Sequence, residues 1–147
     1  MIFKGIYEHN MDTKGRVSVP SKFREGLGES FVACEAFYTP CIWLFSEAAF
    51  EQLSEQMEAF GLLDEESQCL ERKLYNSACD VEVDKQGRIL LPAHLREYAG
   101  LEKEIIITGS RSHVDVWSAE NWARQREFDN AAFGRAVTRL RERGVRF

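Results

Sequence analysis

Apolar and polar positions alternate in short runs along much of this chain, and each run is closed by a glycine, a proline or a polar turn. Alternation of this kind predicts half-buried strands. It marks Arg16–Val19, while runs rich in apolar and aromatic residues mark strands at residues 2–9, with Gly5 as a bulge or close-packing point, and at Phe31–Ala36 and Ile42–Phe45. Lys14-Gly15 reads as a hairpin turn between the first two strands, because glycine supplies the positive φ of a tight turn. Pro20 suits the first turn of a short helix over 20–27, ended by Gly28, and Tyr38-Thr39-Pro40 connects the next two strands. The period then changes. Phe50, Leu53, Met57 and Phe60 form one stripe of a helix over 47–60, capped by Ser46. Whether that stripe faces its own core or another subunit stays open. Asp64-Glu65-Glu66 opens a further helix to Asn76, with its acids at the positive end.

The same plan then returns. Strands at 79–83 and 88–91, a helix from Pro92, strands at 104–108 and 113–117, and a Ser118-capped helix carrying Trp122 follow in order. A shift of 72 positions lays Asp12-Thr13-Lys14-Gly15-Arg16-Val17-Ser18-Val19-Pro20 on Asp84-Lys85-Gln86-Gly87-Arg88-Ile89-Leu90-Leu91-Pro92. Arg24-Glu25 then meets Arg96-Glu97, and Gly28 meets Gly100. The expected fold class is α+β, as two tandem ββαββαα repeats. The units are 1–71, 72–132 and an arginine-rich tail, 133–147, helical or frayed. Each half has about 70 residues, a size at which a lone core is marginal, so the halves are expected to share one core or pack on other subunits.

Charge sharpens this picture. The chain of 147 residues carries a net charge of −5, which argues against a uniformly basic surface. Its distribution is segregated: residues 26–71 hold ten acids and no base, whereas 133–147 hold five arginines and one glutamate. This segregation leaves room for a basic face on an acidic protein. Cys34, Cys41, Cys69 and Cys79 contain no CxxC pair and read as small core residues in a reducing cytosol, with a Cys34–Cys41 bridge as the alternative. His9, His94 and His113 lack metal-ligand spacing, so no metal is expected. With no leader pattern and no apolar run long enough to cross a bilayer, the expected location is the cytoplasm.

The repeated turn carries the chemistry. Asp12 and Asp84 stand where a turn carboxylate accepts backbone N–H groups or pairs with the arginine four residues on. A catalytic acid is the rival, but no acid–base partner is repeated beside either. Arg16 and Arg88 fit two compatible roles: a strut bound to the aspartate, or a guanidinium presented to phosphate or to guanine O6 and N7. Lys14 and Lys85 lie on the turns, within reach of phosphate if the ribbon enters a major groove. Gln86, in the place of Lys14, is either a base-edge contact or a polar turn residue. Lys22, Arg24 and Arg96 read as a solvated helix face. Gly15 and Gly87 have neither the spacing nor the strand-to-helix setting of a phosphate-binding loop, so no nucleotide cofactor is expected.

The doubled Asp-x-x-Gly-Arg-(apolar)-x-(apolar)-Pro, each copy followed by Arg-Glu, resembles the MraZ family of bacterial transcriptional regulators, within the wider AbrB-type, swapped-hairpin DNA-binding group. The resemblance spans nearly the whole chain, from Phe3-x-Gly5 to the helix after Trp117. It implies a pseudo-dimeric β-barrel of interlocked halves with outer helices, and homo-oligomeric rings, octamer-like in size. It also implies repression of the division and cell-wall gene cluster through short repeated sites in double-stranded DNA, on the nucleoid. Carried over by position, Lys14, Arg16 and Arg88 face DNA with Lys85 as neighbour, while Asp12, Gly15, Asp84 and Gly87 build the turns. No cofactor, membrane or small-molecule substrate is implied. Two other classes stay in view: an AbrB-like antitoxin or protein-binding assembly module, and a hydrolase using Asp12 or His9.

Overall fold

The computed structural model describes residues 2–61 and 63–147. Along the chain run β1 (Ile6–Asn10), β2 (Arg16–Ser18), α1 (Ser21–Leu27), β3 (Ser30–Glu35), β4 (Ile42–Ser46), α2 (Glu47–Ala59) and α3 (Glu65–Ser77). They are followed by β5 (Cys79–Glu82), β6 (Arg88–Leu90), α4 (Ala93–Ala99), β7 (Glu104–Gly109), β8 (Val114–Ser118) and α5 (Ala119–Glu142). The class is α+β, with five helices and only antiparallel strand pairing among the described residues.

Six strands form one sheet in the order β1-β7-β8-β4-β3-β5, and β2 pairs with β6 in a separate two-stranded ribbon. Exchange each strand for its counterpart in the other repeat and the six-strand order reads backwards, as a pseudo-twofold requires. Four pairings, β1 with β7, β3 with β5, β4 with β8 and β2 with β6, join the repeats directly. Among the described residues no strand pair closes the six-stranded sheet on itself.

The sheet is covered on both faces at its centre, so the inner strands β7, β8, β4 and β3 are buried at nearly every position, while the edge strands β1 and β5 are largely exposed. One face presents Phe31, Ala33, Ile42, Leu44, Ile105, Ile107, Val114 and Val116 to the ribbon residues Val17, Val19, Ile89 and Leu91 and to Phe23, Leu27, Leu95 and Ala99 of α1 and α4. The two repeats therefore share one core. Beneath α2 and α3, the opposite face packs Cys34, Phe45, Met57 and Leu74 with Phe50 and Leu53. Trp117 and Ile106 pack there against Trp122 of α5. The stripe of α2 thus turns toward its own chain, except Phe60, which is 85% exposed at the helix end. Ser46 and Ser118 cap α2 and α5 by accepting from the amides of Ala49 and Asn121.

Two expectations are corrected. The first strand is short: Gly5 takes φ +108 and breaks it, leaving Phe3 in an isolated bridge to Arg111. The second repeat ends in one long helix rather than two. In the first repeat Gly61 adopts φ +58 after α2, and Asp64 caps α3 by accepting from the Ser67 amide. Their counterparts at a shift of 72 are Phe133 and Ala136, which neither break nor cap, so α5 runs on into the arginine-rich segment. All four cysteines are free, with Cys34 and Cys41 buried. Burial pushes both of those thiols up to about 12, and they behave as small apolar core residues.

Candidate nucleic-acid interface

Each Asp-x-x-Gly-Arg segment folds into the same hydrogen-bonded turn. Asp12 Oδ1 accepts from the Lys14 amide at 3.0 Å and the Arg16 amide at 2.8 Å, and Oδ2 accepts from Arg16 Nε at 2.6 Å. In the second copy Asp84 Oδ1 accepts from the amides of Gln86 and Arg88, both at 2.9 Å, and Oδ2 from Arg88 Nε at 3.1 Å. The backbone closes both turns, with the Gly15 amide donating to Asp12 O and the Gly87 amide to Asp84 O, each at 3.0 Å. Glycine is required because φ is +88 at Gly15 and +78 at Gly87.

These turns are not the tips of ordinary hairpins. The strand leading into the first turn, β1, pairs with β7, and the strand leaving it, β2, pairs with β6 of the other repeat. The ribbon aligns Val17 with Ile89, which are 72 positions apart, with Ser18 opposite Arg88 and Arg16 opposite Leu90. Arg88 Nη1 lies 3.8 Å from Asp12 Oδ2, linking the two turns. Arg16 and Arg88 are thus brought together, half-buried, each held through Nε by an aspartate. A guanidinium fixed at Nε has an oriented plane, the preorganisation that bidentate recognition needs. Lys14 and Lys85 are exposed on the turns but not at equivalent positions, since Gln86 stands in the place of Lys14.

The aspartates are consumed by this task. The Asp12 carboxyl is held below the usual aspartate range, first by the Arg16 amide, then by the Arg16 side chain and the Lys14 amide, against partial desolvation. Asp84 is lowered in the same way, first by the Arg88 amide, then by the Gln86 amide and the Arg88 side chain. A carboxylate engaged through both oxygens is a poor general base, which removes Asp12 from the hydrolase reading. Both groups are depressed in the folded protein. Their contribution to stability is therefore complete above the ordinary aspartate range and is lost as pH falls through the depressed values. Melting temperature should drop below about pH 4, with exchange protection at Gly15 and Gly87 lost early. Asp12→Asn with Asp84→Asn should flatten that acid limb; an unchanged limb would contradict the assignment.

Two residues of this face behave unlike the expected solvated helix surface. Arg24 and Arg96 are half-buried, and each Nε is buried with no hydrogen-bond partner. Lys22 is exposed, as expected. The sequence signal that marks the two arginines is their shared spacing, eight residues beyond Arg16 and Arg88 respectively.

Comparison with known proteins fits this geometry. The family model described as "MraZ protein, putative antitoxin-like" matches residues 2–73 and again residues 74–143. The chain belongs to the MraZ family. Relatives named "Transcriptional regulator MraZ" extend the match. The protein of Caldicellulosiruptor bescii is 38% identical over 96% of this chain and 98% of its own length. That of Symbiobacterium thermophilum is 42% identical over 84% of this chain and 88% of its own length. That of Alkaliphilus oremlandii is 36% identical over 98% of this chain and all of its own length. Each matched stretch holds one of the two turns, Asp12–Arg16 in the first and Asp84–Arg88 in the second. Among the described residues no group of three His, Cys, Asp or Glu side chains is placed to hold a metal ion, and no helix is long and apolar enough to cross a membrane.

Proposed function

We propose that this chain is a DNA-binding transcriptional regulator, not an enzyme, and that the paired turns are its DNA-reading surface. The observation that carries the reading is the convergence of Arg16 and Arg88, oriented by Asp12 and Asp84, on one ribbon built from both repeats. The arginines would contact guanine edges or phosphates in the major groove, with Lys14 and Lys85 on flanking phosphates. In this reading the ribbon and sheet correspond to the pseudo-dimeric swapped-hairpin barrel of the AbrB-type group. The target is short repeated operator DNA upstream of the division and cell-wall gene cluster, where the protein represses transcription on the nucleoid.

One ribbon offers few contacts and would bind weakly at physiological salt. A ring of subunits, octamer-like in size, sets several ribbons side by side, and repeated sites then engage them by effective concentration. Exposed Phe128 and Phe133 on α5, at 69% and 67%, together with Phe60 and Leu63, are apolar surface suited to such subunit contacts. Light scattering at micromolar concentration should report a closed oligomer well above the 16.9 kDa monomer. Anisotropy titration should then give much tighter binding to a fragment bearing several repeats than to one bearing a single repeat. A monomer with equal affinity for both fragments would contradict the ring.

The antitoxin-like wording of the family description favours one second reading, in which the acidic helices α2 and α3 bind a partner protein. Failure to bind DNA from its own promoter would favour it.

A further inference from the structure

We infer that Arg24 and Arg96 act across the repeat boundary, each as the positioning residue for the DNA-reading turn of the other repeat. The inference rests on the regulator reading above and says what holds its surface in shape.

The geometry is reciprocal. A Cβ placed on Gly15 would stand 2.7 Å from Arg96 Nη1, 2.8 Å from its Cζ and 2.9 Å from its Nε. Three nearly equal distances mean that the flat face of the guanidinium, not its edge, covers the glycine. A Cβ on Gly87 would meet Arg24 in the same way, 2.9 Å from Nη1, 3.0 Å from Cζ and 3.4 Å from Nη2. The glycines therefore serve twice, through their positive φ and through the absent side chain that admits the guanidinium. The same repeat also grips each turn through the backbone. Gly15 O accepts from the Leu91 amide at 3.1 Å, and Gly87 O from the Val19 amide at 3.0 Å. Leu91 leads through Pro92 into α4, which carries Arg96, and Val19 leads through Pro20 into α1, which carries Arg24.

The charges divide the labour. Arg16 and Arg88 are paired with aspartates, while neither Arg24 nor Arg96 makes a salt bridge or hydrogen bond to another side chain among the described residues. Each leaves its buried Nε unpaired, which costs stability. Both repeats retain that cost at equivalent positions, so it is a property of the shared design and not a local packing accident. A planar cation on a glycine peptide stiffens the turn and adds uncompensated positive charge beside the aspartate-paired arginine. Each reading unit is then composite, with Asp12, Gly15 and Arg16 completed by Arg96, and Asp84, Gly87 and Arg88 completed by Arg24.

The test is a crossover. Without DNA, Arg24→Gln should raise amide exchange at least tenfold at Gln86, Gly87 and Arg88, leaving Lys14, Gly15 and Arg16 unchanged, and Arg96→Gln should do the reverse. With DNA from upstream of its own gene, Arg24→Gln should be strongly non-additive with Arg88→Ala and additive with Arg16→Ala. Arg24→Lys keeps the charge without the plane and should restore neither turn order nor affinity. Exchange changes in the turn of the same repeat, or in neither turn, would overturn the inference. Full rescue of affinity by lysine would also overturn it, leaving a simple phosphate contact. A wild-type protein that bound no DNA would overturn the regulator reading alone, and the exchange pattern would still decide the role of the two arginines.

Discussion

A protein carrying both Arg16→Ala and Arg88→Ala is expected to stay folded and to lose at least about a hundredfold in affinity for its operator DNA. A guanidinium that reads a base edge contributes about 1–3 kcal/mol, or a factor of about 5–150, and two such groups share each ribbon. Several ribbons on one DNA multiply the loss. The fold should survive because Val17 and Ile89, which are fully buried, hold the ribbon to the core. The arginine side chains are 33% and 27% exposed, and partly exposed ion pairs contribute little to stability. Either variant alone should bind more weakly than wild type and more tightly than the double. Early melting with native affinity in the refolded protein would make Arg16 and Arg88 struts and move the reading surface elsewhere.

Affinity should also fall steeply with salt. Each phosphate neutralised contributes about −0.9 to the slope of log affinity against log salt. If several ribbons engage together and each covers about two phosphates, roughly 6–10 contacts are made, and affinity should drop about 10³–10⁵-fold between 50 and 200 mM salt. The net charge of −5 strengthens the contrast, because an acidic protein has no diffuse attraction to DNA to fall back on. Removing Lys14 should reduce the slope without changing sequence preference, since a lysine on an exposed turn reaches phosphate and not base. A flat salt response would rule out a phosphate-dominated interface.

Local chemistry was legible in the sequence, and long-range pairing was not. Ser46 and Ser118 announce their helices because capping depends on a side chain and an amide three residues away. The turn at Asp12 and Gly15 was equally readable, as its bonds lie within five residues. A turn signal, however, does not say which strands will pair. Strand β1 chooses β7 and β2 chooses β6, contacts of about the repeat length or longer that only the shared core decides. The continuous α5 was readable in hindsight, because Ala136 cannot replace the cap that Asp64 provides. Arg24 and Arg96 were missed for another reason. On a short amphipathic helix an arginine looks solvated, and its burial arises from a glycine turn in the opposite repeat.

The most direct measurement is a footprint on the DNA upstream of the chain's own gene, comparing wild type with the Arg16→Ala/Arg88→Ala double variant at one physiological salt concentration. Wild type should protect a series of evenly spaced short repeats, on their major-groove faces, and the folded double variant should protect none. Protection by the double variant equal to wild type would contradict the assignment of the paired turns as the DNA-reading surface.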